Sequence, residues 1–161
     1  MGAHSATESP RVVLRRAAMD KLARREHSFH ELALALRDKY PGFDLDEAIL
    51  PTLERLREEN LQSDARFVEN FVRSRKNKGT GPLKISAELK QKGVSTTLIG
   101  ALVDAPDNDW TLEARQVLLK KYRGPVPDTA AARQKAWFFL QQRGFRRDDI
   151  ATAIHLSANQ Q

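Results

Sequence analysis

The chain has 161 residues, 40% of them hydrophobic and 30% charged, with no cysteine and a net charge of +6. This balance suits one folded domain or a few small units in a row and is too apolar for a wholly disordered chain; the missing cysteine excludes disulfides, zinc–thiolate sites, iron–sulfur clusters and thiol catalysis. The charge is uneven: residues 1–60 carry 10 Lys/Arg against 11 Asp/Glu, residues 61–106 carry 8 against 4, and residues 107–161 carry 9 against 6, so the excess lies in the last two thirds and suggests an anionic partner.

Residues 1–10 read as a flexible polar tail without the apolar core of a secretory signal. Met1-Gly2 invites N-myristoylation, but Ala6 stands where Ser or Thr is required. Val12, Leu14, Ala17, Ala18 and Leu22 begin a helix reaching about Glu26. Ser28 with Glu31 forms a capping box for the next helix, striped by Leu32, Leu36 and Tyr40 and stopped at Tyr40-Pro41-Gly42. Asp44 or Asp46 caps a third helix with Ile49, Leu53 and Leu56 inward, and Pro51 must sit near its first turn.

Ser63 or Asp64 caps a fourth helix whose inner face is Phe67, Val68, Phe71 and Val72, with a basic exit at Arg73 to Lys78. Gly79-Thr80-Gly81-Pro82 is a turn into a helix bearing Ile85 and Leu89, ended by Gly93; Ser95 caps a short helix with Leu98, Ile99, Leu102 and Val103. Leu61-Gln62 and Ala105-Pro106-Asp107 read as flexible joints. Thr111 caps a helix with Leu112, Val117 and Leu118. After Gly124-Pro125-Val126-Pro127, Asp128 or Thr129 caps a helix with Ala132, Ala136, Phe139 and Leu140, ended by Gly144. Asp148, Ile150, Ala153 and Ile154 form a short final helix, and Asn159-Gln160-Gln161 frays.

No strand pattern appears, and no apolar run approaches the roughly 20 residues a membrane span needs. Leu89 precedes Gly93-Val94 and Ile99 as Leu140 precedes Gly144-Phe145 and Ile150; Leu36 leads to Gly42-Phe43 with two extra residues. Units of this size bury little core alone and stack on their neighbours. The fold class expected is therefore all-α, with three tandem three-helix repeats at residues 11–61, 62–106 and 107–161 stacked into an elongated, curved array of either hand.

Catalytic chemistry is sparse. His27 and His30 share a helical spacing but lack a third metal ligand, and Gly79-Thr80-Gly81-Pro82-Leu83-Lys84 lacks the Gly-Lys-Ser/Thr ending of a phosphate loop. No nucleophile–base pair or paired carboxylates stand out, so no enzyme activity, cofactor or metal is expected. The candidate partner-binding residues are cations: Arg73, Arg75, Lys76 and Lys78; Lys84 and Lys92; Lys120, Lys121 and Arg123; Arg143, Arg146 and Arg147. Some of these serve the helix macrodipole at C-termini, but their number exceeds that need. Trp137-Phe138-Phe139 spans much of a helix circumference, so one ring must point away from its own core, either onto a neighbouring unit, which is favoured, or at a partner.

Leu22-Ala23-Arg24-Arg25-Glu26-His27-Ser28 with Glu31-Leu32 resembles the first repeat of the RecX family, regulators of the bacterial recombinase RecA. Phe67, Phe71-Val72, Arg73, Arg75, Gly79, Gly81-Pro82, Ile85, Glu88-Leu89, Lys92-Gly93 and Ile99 resemble its second repeat. Lys135, Phe139-Leu140, Arg143-Gly144-Phe145 and Ile150 resemble its third. Lys84 departs from the commoner Arg, and Arg123-Gly124 from a plain Tyr-Gly. The resemblance implies a non-enzymatic modulator, mainly an inhibitor; a cytoplasmic monomer is expected. It would bind the RecA–DNA filament groove and limit filament extension, strand exchange, ATP hydrolysis and the co-protease activity of the SOS response. The alternatives from the residues alone are a direct nucleic-acid-binding helical repeat, or a passive scaffold with no nucleic-acid affinity; a weak direct DNA contact fits the first.

Overall fold

The computed structural model describes residues 8–159. The expected tail lies mostly, and the frayed Gln160-Gln161 wholly, outside the described residues. Among the described residues there are nine α-helices and no strand: α1 (Pro10–Arg24), α2 (Phe29–Lys39), α3 (Leu50–Glu58), α4 (Asp64–Asn77), α5 (Pro82–Gln91), α6 (Thr96–Val103), α7 (Trp110–Tyr122), α8 (Ala130–Gln142) and α9 (Arg147–Ala158). No described helix is long and apolar enough to cross a membrane. Contacts divide the chain into two compact units, one built from the described residues through Val68 together with Lys92–Val94, the other from Glu69–Gln91 and Ser95 onward.

In the first unit, α1, α2 and α3 enclose Leu14, Ala18, Leu32, Leu36, Ile49, Leu53 and Leu56, each fully removed from solvent. α1 starts earlier than expected because Ser9 caps it and Pro10 occupies its first turn, where a missing N–H costs nothing. Val12 consequently lies outside the stripe, 46% exposed. A π-helical turn, Leu45–Ile49, capped by Asp44, leads into α3 and leaves Pro51 in that helix's first turn. The Ser28 capping box forms as expected: the hydroxyl accepts from the Glu31 amide at 3.1 Å and the Glu31 carboxylate accepts from the Ser28 amide at 3.0 Å. The same hydroxyl donates to the Lys92 carbonyl at 2.7 Å, and Lys92 Nζ reaches Glu31 at 2.8 Å. Gln62 is buried rather than a loose joint: its amide nitrogen donates to the His27 carbonyl at 3.2 Å and to Asp64 at 2.9 Å.

In the second unit, Val72, Ile85, Leu89, Ile99, Val103, Trp110, Ala114, Leu118, Leu140, Phe145 and Ile150 are buried, and α7 packs along α9. α7 begins at Trp110 under an Asp109 cap, two residues before the expected cap Thr111. Thr111 instead donates to Asp149 at 2.9 Å, and Leu112, read as inward, is 45% exposed. Trp110 takes its place, its indole N–H donating to the Val103 carbonyl at 2.9 Å. Phe71, also read as core, is half-buried under the Arg75 guanidinium, 4.4 Å from the ring centroid. Phe138 is the outward ring of the aromatic run, 54% exposed. α9 is a 12-residue helix, longer than the sequence pattern suggests.

The turns after α5 and α8 share one design. Gly93 and Gly144 both hold positive φ, 75° and 91°, a left-handed conformation that glycine enters without penalty. Val94 and Phe145 follow them into buried positions. The α2 turn differs, with Tyr40 and Phe43 stacked at 5.6 Å between ring centroids.

Candidate functional site

The second unit carries a groove of roughly 1000 Å³ formed by the end of α4, one face of α7 and the end of α8. Six of the cations singled out from the sequence line it: Arg73, Lys76, Lys78, Lys120, Lys121 and Arg143. Glu113 is the only carboxylate among the lining residues, with Asn77, Gly79, Gln116, Val117, Leu119 and Phe139 completing the wall.

Helical geometry explains the convergence. Arg73, Lys76 and Asn77 recur at three- and four-residue spacing on α4; Glu113, Gln116, Val117, Lys120 and Lys121 do so on α7. Arg73 donates to Asn70 at 3.2 Å, and Lys76 bonds Asn108 with its ammonium 5.1 Å from the Trp110 ring centroid. Lys121 stands over Phe139 at 3.8 Å and Arg143 over the same ring at 5.0 Å, where the ring's negative face favours them. Arg143 also donates to the Lys78 carbonyl at 2.9 Å.

None of these six cations takes part in an ion pair within 4.0 Å among the described residues. The remaining candidates behave differently. Arg75 pairs with Glu88 at 2.7 Å and Arg146 with Asp104 at 2.5 Å, while Lys92 in the first unit pairs with Glu31 at 2.8 Å. Lys84, Arg123 and Arg147 are exposed and outside the groove. The structure thus gathers half of the sequence candidates into one uncompensated positive surface and commits three others to internal neutralisation. Charges of one sign in a concavity focus potential and speed encounter with an anionic partner.

The sequence reading did not single out Glu113, Gln116 or Leu119, and it took Val117 as inward, whereas Val117 lines the groove. Their spacing relative to Lys120 and Lys121 carried the signal, but only the approach of α4 and α8 makes that face a wall. No group of three or more His, Asp or Glu among the described residues is placed to hold a metal ion. His27 lies against the Arg25 carbonyl at 3.0 Å, and His30 packs against Gly93.

Comparison with known proteins agrees with this architecture. The family model described as RecX, second three-helix domain, matches residues 63–102, and that described as RecX, third three-helix domain, matches residues 113–154. A protein named Regulatory protein RecX from Halorhodospira halophila is 40% identical over 142 residues, covering 87% of this chain and 85% of its own length. One of the same name from Pseudomonas entomophila is 40% identical over 143 residues, 89% of this chain and 90% of its own. The crystal structure of RecX from Lactobacillus salivarius superposes with a TM-score of 0.73 at 22% identity, over 92% of this chain and 97% of that one. These relatives are named as regulatory proteins rather than enzymes, and with matches spanning most of its length the chain belongs to the RecX family of regulatory proteins.

Proposed function

We propose that this protein regulates RecA as a non-enzymatic modulator, mainly an inhibitor, that binds the RecA–DNA filament through the cationic groove of α4, α7 and α8. The observation that carries the reading is six cations in one concavity, without ion pairs among the described residues and opposed by one carboxylate, in a chain whose relatives are named regulatory proteins. A filament bearing nucleic-acid phosphates and protein carboxylates offers the complementary charge. By occupying the filament groove as a monomer in the cytoplasm, the protein limits filament extension, and strand exchange, ATP hydrolysis and SOS co-protease activity fall with it. Its three-helix repeats, at residues 11–61, 62–106 and 107–161, act as the modules of this contact.

The test is binding of the purified protein, side by side, to RecA filaments on DNA, to naked single-stranded DNA and to free RecA, with RecA ATP turnover followed in parallel. Tightest binding to the filament, falling steeply with salt and accompanied by loss of ATP turnover, supports the proposal. Equal affinity for naked DNA and filament would identify a direct nucleic-acid binder instead.

A further inference from the structure

Two turns of the second unit lock together beside the groove. The Gly81 amide donates to the Arg143 carbonyl at 2.7 Å and the Leu83 amide to the Gly144 carbonyl at 2.9 Å. The first-turn amides of a helix have no partner in their own helix, and the last carbonyls of a helix have none either. Here the start of α5 and the end of α8 satisfy each other, and their macrodipoles meet with opposite sign.

The contact is backbone against backbone, so it requires glycine on both sides. A Cβ on Gly81 would strike the Gly144 and Phe145 backbone, and a Cβ on Gly144 would lie 2.5 Å from Lys84 Cβ and 2.8 Å from its amide nitrogen. Arg143 adds a second tie with its side chain, donating to the Lys78 carbonyl while lying over Phe139. Gly79 leaves room for it: a Cβ there would stand 3.3 Å from the Arg143 guanidinium and 3.1 Å from Val117.

We propose that Arg143 is a positioning residue rather than a partner contact: with Gly81 and Gly144 it buckles the α4–α5 turn to the α8–α9 turn and so fixes the spacing of the groove's cations. This rests on the reading of the groove as the filament-binding surface. One guanidinium N–H donates to a main-chain carbonyl and the group lies 5.0 Å from the Phe139 ring centroid, so it ties two turns of the protein to one another. Loosening the buckle lets the α4 end sample arrangements in which Lys78 and Lys76 no longer face α7. Affinity then falls by the fraction of molecules still competent, while the number of charges engaged on binding stays the same.

The experiment has two arms on the full-length protein. Amide hydrogen exchange at Gly81 and Leu83 reads the buckle without any partner: Arg143→Gln raises both rates about tenfold by lowering the local opening free energy, whereas Lys120→Gln, a groove cation outside the buckle, leaves them unchanged. Filament binding across salt reads the role. Lys120→Gln flattens the salt dependence by about one ion contact; Arg143→Gln lowers affinity at every salt concentration with the slope kept, and its loss is not additive with that of Gly144→Ala. Unchanged exchange at Gly81 and Leu83 in Arg143→Gln would overturn the proposal. So would a flattened slope matching that of Lys120→Gln. If Gly144→Ala fails to fold, Arg143→Gln carries both readouts. If the wild-type protein fails to bind filaments, the reading of the groove falls, and the exchange arm still decides the buckle.

Discussion

Ser28→Ala removes one oxygen that does two jobs. The hydroxyl is fully buried, caps α2 by accepting from the Glu31 amide, and donates to the Lys92 carbonyl at 2.7 Å. Loss of a Ser N-cap costs about 1 kcal/mol, and a buried carbonyl deprived of its donor costs about 1 kcal/mol more, so the variant should lose roughly 2 kcal/mol. Ser95 supplies the comparison. It caps α6 with a single bond to the Leu98 amide at 3.2 Å and is exposed, so Ser95→Ala should cost about 1 kcal/mol or less. Urea titration followed by far-ultraviolet circular dichroism is the suitable assay, because the two tryptophans, Trp110 and Trp137, both lie in the second unit and would under-report loss in the first. A Ser28→Ala cost no greater than that of Ser95→Ala would refute the double role.

Glu31 gives a pH signature. Burial pushes its carboxyl up, but hydrogen bonds from Lys92, Arg25 and the Ser28 amide together hold it below the ordinary value of 4.5. A carboxyl lowered on folding stabilises the folded state above its unfolded value and loses that contribution as pH falls through the folded one. Glu31→Gln should therefore flatten the stability profile below about pH 4.5, measured by urea titrations at stepped pH. Phe71→Ala should cost about 1–2 kcal/mol rather than the 3–5 kcal/mol of a core phenylalanine, because Phe71 is half-buried; a cost above 3 kcal/mol in the same titration would show it bears core packing. Phe138→Ser should change stability by less than about 0.5 kcal/mol, whereas Leu140→Ala, two residues along and fully buried, should cost about 2–5 kcal/mol by thermal and urea unfolding.

The helices were legible because their signals are local. Ser28, Ser95 and Thr129 cap by bonding an amide three residues on, and Gly93 and Gly144 mark the turns through a conformation the chain demands there. Errors arose where two local signals compete. Asp109 and Thr111 are both good caps, and burial of Trp110 decides for Asp109, turning Leu112 outward. The groove was only half legible. Arg75 and Lys76 are adjacent in sequence, yet about 100° apart around a helix, so one meets Glu88 and the other the groove. Likewise Arg146 reads as a free cation until the fold brings Asp104 to it.

The location of the positive charge is the central claim, and one matched pair of variants isolates it from net charge. Arg73, Lys78 and Lys120 line the groove; Lys90, Arg123 and Arg147 are equally exposed cations outside it. Replacing either set with Glu changes the net charge by the same amount and touches no described ion pair, so folding should survive in both. Binding to RecA–DNA filaments at fixed salt should fall by at least about tenfold for the groove set, where attraction becomes repulsion, and by much less for the other. Equal losses in the two variants would contradict the account, leaving the basic excess as a diffuse charge with no site.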